Sequence, residues 1–110
     1  MEVRATAKGV RVSPQKARRI VNSVRGKMPD EALAILRFMP SPTARIVARV
    51  VKSAAANAEN NFKMLPSEIR IVRAFVDEGL RMKRIRFKAR GRVNPILKRL
   101  SHITIVVEER

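Results

Sequence analysis

The stretch IRIVRAFVDEGLRMKRIRFKARGRVNPILKRLSHITIVV, residues 69–107, decides the fold. Its two ends, IRIVRAFV and HITIVV, are rich in β-branched residues and have the length of strands. Between them, residues 81–92 hold seven basic side chains and no acidic one. A structureless loop of this length is uncommon inside a compact domain unless it has a function. The stretch therefore predicts a long hairpin whose arms continue beyond the sheet, with residues 79–97 as the protruding part.

Upstream of the hairpin, the hydrophobic pattern changes from the period of a strand to that of helices. Residues 3–12, VRATAKGVRV, are β-branched and partly alternating, which predicts a strand. A helix is predicted to begin at Ser13-Pro14, with the Ser13 side chain as a capping acceptor, and to end near Gly26. The apolar stripe of this helix consists of Ala17, Ile20, Val21 and Val24.

Two more helices are predicted, a short one over residues 29–40 and a longer one over residues 41–61. The order of elements is strand, three helices and then the hairpin. It predicts an α+β fold in which a three-stranded antiparallel sheet packs against three helices and a long β-hairpin protrudes. We expect residues 1–110 to form a single domain. Its globular part comprises residues 1–78 and 98–110, and the extended hairpin comprises residues 79–97.

The charge of the chain is unusual for a domain of 110 residues. It has 25 Lys and Arg against 9 Asp and Glu, which gives a net charge of +16. The basic residues occur in both halves of the chain, so the excess is not confined to a tail. Self-repulsion of this size is tolerable only if a polyanion neutralises it, and nucleic acid is a better candidate than an anionic membrane surface.

The composition of the basic run favours RNA or DNA over a membrane. Five of its basic residues are arginines, whose planar guanidinium groups match phosphate oxygens in pairs. A membrane-binding segment needs a sustained apolar face and interfacial tryptophan, and the chain has no tryptophan. A merely solvated charge run is the other alternative, and the flanking strands argue against it. We expect the hairpin to be ordered only against an anionic partner, because isolated hairpins are marginal in water.

Catalytic and metal chemistry have little support in the sequence. The absence of cysteine excludes disulfides and thiolate sites, and one histidine makes a histidine metal site improbable, so no cofactor is expected. His102 is interpreted as a structural or surface histidine, with an RNA contact as the lesser alternative. Asp77 and Glu78 are strand neighbours that point to opposite faces, so they are no catalytic pair. Without a signal peptide or an apolar stretch of spanning length, a soluble intracellular protein that is not an enzyme is expected.

Six motifs occur in a familiar order along the chain. They are VSPQKARRIVNSVRGK (12–27), SAAANAENN (53–61), VDEG (76–79), MKR (82–84), ARGR (89–92) and LSHITIVV (100–107). Together they resemble the bacterial form of the universal large-subunit ribosomal protein numbered twenty-two. The resemblance implies a globular domain on the outer face of the large subunit and a hairpin that penetrates the 23S rRNA and lines the nascent-peptide exit tunnel.

The resemblance also implies partners and a location. It implies an early role in subunit assembly, contacts with neighbouring large-subunit proteins and the nascent polypeptide, a monomer when free, and a cytoplasmic location within the subunit. The departures from the family pattern are Leu80 for the usual proline, Phe87-Lys88-Ala89 for a frequent PRA, and Asn94-Pro95. They leave the path of the hairpin tip open.

The candidate RNA-binding residues lie in the first strand, the first helix and the hairpin. They are Lys8, Arg11, Lys16, Arg18, Arg19, Arg25, Lys27, Arg81, Lys83, Arg84, Arg86, Lys88, Arg90, Arg92, Lys98, Arg99 and His102. The residues that the resemblance places along the tunnel are Met82, Lys83, Arg84, Lys88, Ala89, Arg90, Gly91 and Arg92. The main alternative is a DNA-architectural protein whose basic arm enters the minor groove, with Phe87 or Pro95 as the wedge. Basic residues on the helices favour burial among several RNA segments.

Overall fold

The computed structural model describes residues 2–87 and 93–109, and within these the side chains outside positions 80–99. The elements in chain order are β1 (Glu2–Val10), α1 (Pro14–Val24), α2 (Pro29–Arg37), α3 (Pro42–Phe62), a single 3-10 turn (Pro66–Glu68), β2 (Ile69–Phe87) and β3 (Val93–Glu109). The predicted α+β fold is confirmed, and the predicted helices and strands occur in the predicted order.

The three strands form one antiparallel sheet in the order β1-β3-β2. The last strand is therefore the central one, and β1 and β2 are the edges. Val107 pairs with Val3 of β1 on one side and with Ile71 of β2 on the other. The β2–β3 pairing continues far beyond the end of β1, as far as Phe87 opposite Val93. This extension accounts for the elongated molecule, whose principal-axis extents are 62 × 26 × 17 Å.

The core lies between the sheet and the helices. One face of the sheet is apolar because alternate residues of each strand point to it. Ile71, Ile103 and Ile105 on this face are fully buried. On the helical side, α1 buries the predicted stripe, with Ile20 only half-buried, and α3 buries Ala44, Ala54 and Ala58. The small side chains of these alanines allow other elements of the core to approach the helix closely.

Each helix begins with proline, and Pro14 and Pro42 follow a serine. The side chain of Ser13 makes no capping hydrogen bond, so that part of the prediction is wrong. The fixed φ of Pro14 sets the start of the helix instead, because proline at this position costs no hydrogen bond. At the other end of α1, Gly26 adopts φ +82°, which glycine tolerates best. Its N–H donates to Ile71 O (2.8 Å), and the N–H of Ile71 donates to Lys27 O (2.9 Å).

Candidate nucleic-acid interface

The extended part of the β2–β3 hairpin, called the arm below, comprises residues 81–87 and 93–99 in the described structure. It begins at an irregularity in the pairing between Glu78 and Arg81. The register places Arg81 opposite Arg99 and Met82 opposite Lys98. Like charges at opposed positions destabilise a pair of strands. The arm therefore concentrates positive charge on two paired strands.

The predicted site residues of the arm differ in how far the structure locates them. Backbone pairing places seven of them in the two arm strands, namely Arg81, Met82, Lys83, Arg84, Arg86, Lys98 and Arg99. The other five, Lys88, Ala89, Arg90, Gly91 and Arg92, lie outside the described residues. The arm strands thus carry six of the predicted basic residues on a paired backbone.

Two arginines of the α1 segment contact the edge strand β2. Arg18 donates from Nε (3.3 Å) and Nη2 (3.1 Å) to the carbonyl oxygen of Val76. Arg25 donates from Nη2 to the carbonyl oxygen of Ala74 (2.6 Å). Because β2 is an edge strand, these carbonyls have no strand partner on that side. Both arginines are exposed, so they keep their charge and further N–H donors for an anion.

The sequence analysis gave these arginines an RNA-binding role and missed their structural one. Arg18 and Arg25 are seven residues apart, which places them near one face of the helix. That spacing is visible in the sequence, but the carbonyls that they contact are about fifty residues further along the chain. The other predicted basic residues of this segment, Lys16, Arg19 and Lys27, are exposed.

The connection between β1 and α1 is held against β3 by two hydrogen bonds. Gly9, with φ +66°, donates its N–H to Nδ1 of His102 (2.9 Å). The buried Ser101 hydroxyl donates to Val12 O (2.7 Å). His102 is half-buried and accepts this bond from Gly9, and its contact with RNA stays a prediction. These bonds fix the position of Lys8 and Arg11, which are both exposed near the base of the arm.

Gly79 lies inside β2, at the base of the arm. A Cβ atom at this position would lie 3.2 Å from His102 Cε1, 3.2 Å from Leu100 Cβ and 3.2 Å from Leu100 O. All three contacts are tight, and all three are made with the neighbouring strand β3. The glycine therefore permits close packing at the base of the arm, where the register shifts.

Several acidic residues lie at the opposite end of the sheet. Glu2 pairs with Glu108 in the β1–β3 register, and Glu109 lies opposite Ile69. Glu2 also forms an ion pair with Arg73. A hydrogen bond with Glu68 raises the pKa of Glu109, and desolvation and the like charge of Glu68 raise it further. Four of the nine acids thus lie at or beside this acidic end, whereas Asp77 and Glu78 lie in β2 next to the base of the arm.

Two features are absent from the described part of the chain, a membrane-spanning helix and a cluster of metal ligands. No described helix is long and apolar enough to cross a membrane. Among the described residues, no group of three or more histidine, aspartate or glutamate side chains could hold a metal ion.

A basic α+β domain with a protruding, paired and strongly cationic arm is typical of proteins that bind nucleic acid by neutralising phosphates. The family model of ribosomal protein L22p/L17e matches residues 5–108, and the chain belongs to this family. The resemblance read from the sequence motifs is thereby confirmed. This is a family of ribosomal proteins and not of enzymes.

Curated relatives match over almost their whole length. The chain is 55% identical over 109 residues to the large ribosomal subunit protein uL22 of Dehalococcoides mccartyi (strain CBDB1), covering 99% of the chain and 100% of the relative. It is 53% identical over 110 residues to the uL22 protein of Thermoanaerobacter pseudethanolicus, covering 100% and 99%. For the uL22 protein of Halothermothrix orenii the identity is 51% over 110 residues, covering 100% and 97%.

Proposed function

We propose that this chain is a structural constituent of the large ribosomal subunit in the cytoplasm. It binds 23S rRNA, supports early assembly of the subunit, and lines the nascent-peptide exit tunnel with its arm. Family membership supports the place in the large subunit. The observation that carries the RNA-binding role is the arm itself, in which strand pairing continues from Arg81–Arg99 to Phe87–Val93 through a run without acids.

The dimensions of the arm suit insertion between RNA helices. The strand segment from Arg81 to Phe87 spans six residue steps, which at about 3.3 Å per step is roughly 20 Å. An arm two strands thick can pass between packed RNA helices where a globular domain cannot. The residues that the family resemblance assigns to the tunnel wall belong to this arm and its tip, where they would meet the nascent polypeptide.

The binding mechanism follows from the charge. Lysine and arginine neutralise phosphates and release the counterions that surround the RNA. RNA helices are recognised largely by shape and backbone contacts, since their major groove is too narrow for side chains to read. The exposed Lys8, Arg11, Lys16 and Arg19 extend the cationic surface from the arm onto the globular domain. With about six phosphates engaged, log K is expected to fall with log salt at a slope of roughly −5.

The experiment that tests the proposal measures binding of the purified full-length chain to 23S rRNA over a series of salt concentrations. A variant with Arg81, Lys83 and Arg84 replaced by glutamine is expected to bind more weakly and with a shallower salt dependence. The matched control is Arg70→Gln, which removes one exposed charge at the acidic end of the sheet. If the arm variant and the control lose the same rRNA affinity for each charge removed, a specific role of the arm is contradicted.

The competing DNA-architectural function is tested by sedimentation of the endogenous protein. Stable comigration with the large subunit in high salt supports the proposal. Recovery of the protein on nucleoid DNA would overturn it.

A further inference from the structure

A groove between α2 and α3 lies outside every site described above. It has a volume of about 550 Å³ and is formed by the end of α2, the turn that follows and the first half of α3. Its floor is apolar and includes Leu33, Leu36 and Met39. Its rim carries three cations and no acid: Arg37, Arg45 and Lys52. None of these three was among the residues predicted to bind RNA.

The rim cations are free to bind an anion. All three are exposed, and within the described part of the chain none of them forms an ion pair. Asp30 and Glu59 do not line this groove. They lie with Lys52 around a separate, smaller cavity of about 190 Å³. Lys52 borders both cavities, so Asp30 and Glu59 lie near it, whereas the lining of the groove itself contains no acidic residue.

Helix stability does not explain Arg45. It lies directly after the first turn of α3, close to the positive end of the helix dipole, where a cation is unfavourable. Arg37 is different, because a cation in the last turn of α2 is favourable. Arg45 and Lys52 are seven residues apart, so they share one side of α3 about 10 Å apart along its axis. That distance is roughly the rise of three stacked nucleotides, at about 3.4 Å each.

An exposed aromatic ring accompanies these cations. Phe38 lies in the chain between two groove residues, Arg37 and Met39, and its side chain is 84% exposed. It is the most exposed large hydrophobic residue in the described part of the chain. Folding gives no reason to expose a phenylalanine to this extent, since burial of its ring would be favourable. A nucleobase offers a flat partner for such a ring, and base–aromatic stacking contributes about 1–3 kcal/mol per base.

We propose that this groove is a second RNA-binding site, which takes an unpaired segment of RNA. Phosphates are bound by Arg37, Arg45 and Lys52, and one base stacks on Phe38. Charge complementarity selects RNA, because uncompensated cations and a lone aromatic ring suit a strand of phosphates and bases. The inference rests on the proposed function, since it adds a site to an RNA-binding protein.

The chain has no tryptophan, so a Phe38→Trp variant gives a single fluorophore at the proposed stacking position. The full-length variant is titrated with a short oligouridylate, while the anisotropy of a labelled oligouridylate reports binding anywhere on the protein. The matched control is Phe62→Trp, at the far end of α3, where the native side chain is 47% exposed. We expect quenching of the tryptophan at position 38 and none at position 62.

Removal of the rim charges checks the phosphate contacts. Arg45→Gln with Lys52→Gln in the Phe38→Trp background is expected to abolish the quenching without loss of helix content by circular dichroism. Phe38→Ala in the otherwise native chain should weaken oligouridylate binding about fivefold, which corresponds to about 1 kcal/mol of stacking.

The outcomes separate the two proposals. A rise in anisotropy without quenching at position 38 overturns the groove site and leaves RNA binding intact. No rise in anisotropy with either oligouridylate or 23S rRNA contradicts the proposed function itself. Quenching by an acidic polyglutamate peptide and not by oligouridylate overturns the assignment to RNA and shows a peptide site.

Discussion

Arg18 and Arg25 are predicted to stabilise the fold through the carbonyl oxygens of β2, and this can be separated from any role in RNA binding. Their hydrogen bonds join α1 to the edge strand at Val76 and Ala74. Hydrogen bonds to charged groups contribute about 1.5–3 kcal/mol when they are well shielded. Because both arginines are exposed, we expect about 1 kcal/mol for each.

The perturbation is Arg18→Met, which keeps helix propensity and removes the donors. We expect the free energy of unfolding to fall by about 1 kcal/mol and the Tm by about 4 °C for a domain of this size. Urea unfolding followed by circular dichroism measures the change. The matched control is Arg19→Met, the exposed neighbour without such a bond in the described structure. Because the acceptor is a neutral carbonyl, the lower free energy of unfolding of the Arg18→Met variant should also persist at high salt.

An Arg18→Lys variant separates the two roles. It keeps the positive charge but cannot reproduce the two-donor contact with Val76 O. We therefore expect reduced stability with an unchanged salt dependence of rRNA binding. The reasoning is refuted if Arg18→Met unfolds at the same urea concentration as the native chain, or if Arg18 and Arg19 variants lose equal stability.

Three further predictions concern the arm, its base and the acidic end of the sheet. Deletion of residues 82–84 should leave cooperative thermal unfolding and incorporation into the subunit intact, because the β2–β3 pairing at these positions extends beyond the end of β1. Under the proposed function only the geometry of the tunnel changes, and loss of the cooperative transition would contradict this. Gly79→Val should destabilise the fold by about 1–3 kcal/mol in urea unfolding, since the new side chain meets Leu100 and His102, and an unchanged midpoint would show that the contact relaxes freely. Glu109→Gln should raise the Tm near neutral pH, where the ionised carboxylate faces Glu68. Because the folded-state pKa of Glu109 is raised, the difference in Tm between the variant and the native chain should disappear once the pH falls below the ordinary range of glutamate, where the carboxyl is protonated in both states. A difference in Tm that is independent of pH would exclude repulsion as the cause.

Local periodicity was sufficient to predict the secondary structure. The run of Ala17, Val21 and Val24 predicted the buried face of α1, and the β-branched runs at residues 69–76 and 102–107 predicted the two long strands. These signals are local, because the side chains of one element share one face at a fixed spacing. The basic run between two strands likewise predicted an extended arm, since no core could form around it.

Contacts between distant segments could not be predicted in this way. Arg18 meets Val76 O, and Gly9 meets His102 Nδ1, across separations of 58 and 93 residues. The groove between α2 and α3 depends on the packing of two helices, and the isolated sequence gives Phe38 no distinction from a core phenylalanine. Such features arise from tertiary packing, which adds partners that no local pattern specifies.

The central claim is that RNA supplies the charge that stabilises the arm. It is tested most directly by amide hydrogen exchange of residues 81–87 and 93–99 in the full-length chain, with and without 23S rRNA. We predict that exchange in the arm slows strongly on binding, while the core strands around Ile71 and Ile105 change little. Equal exchange of the arm in the free and the rRNA-bound chain would contradict the account.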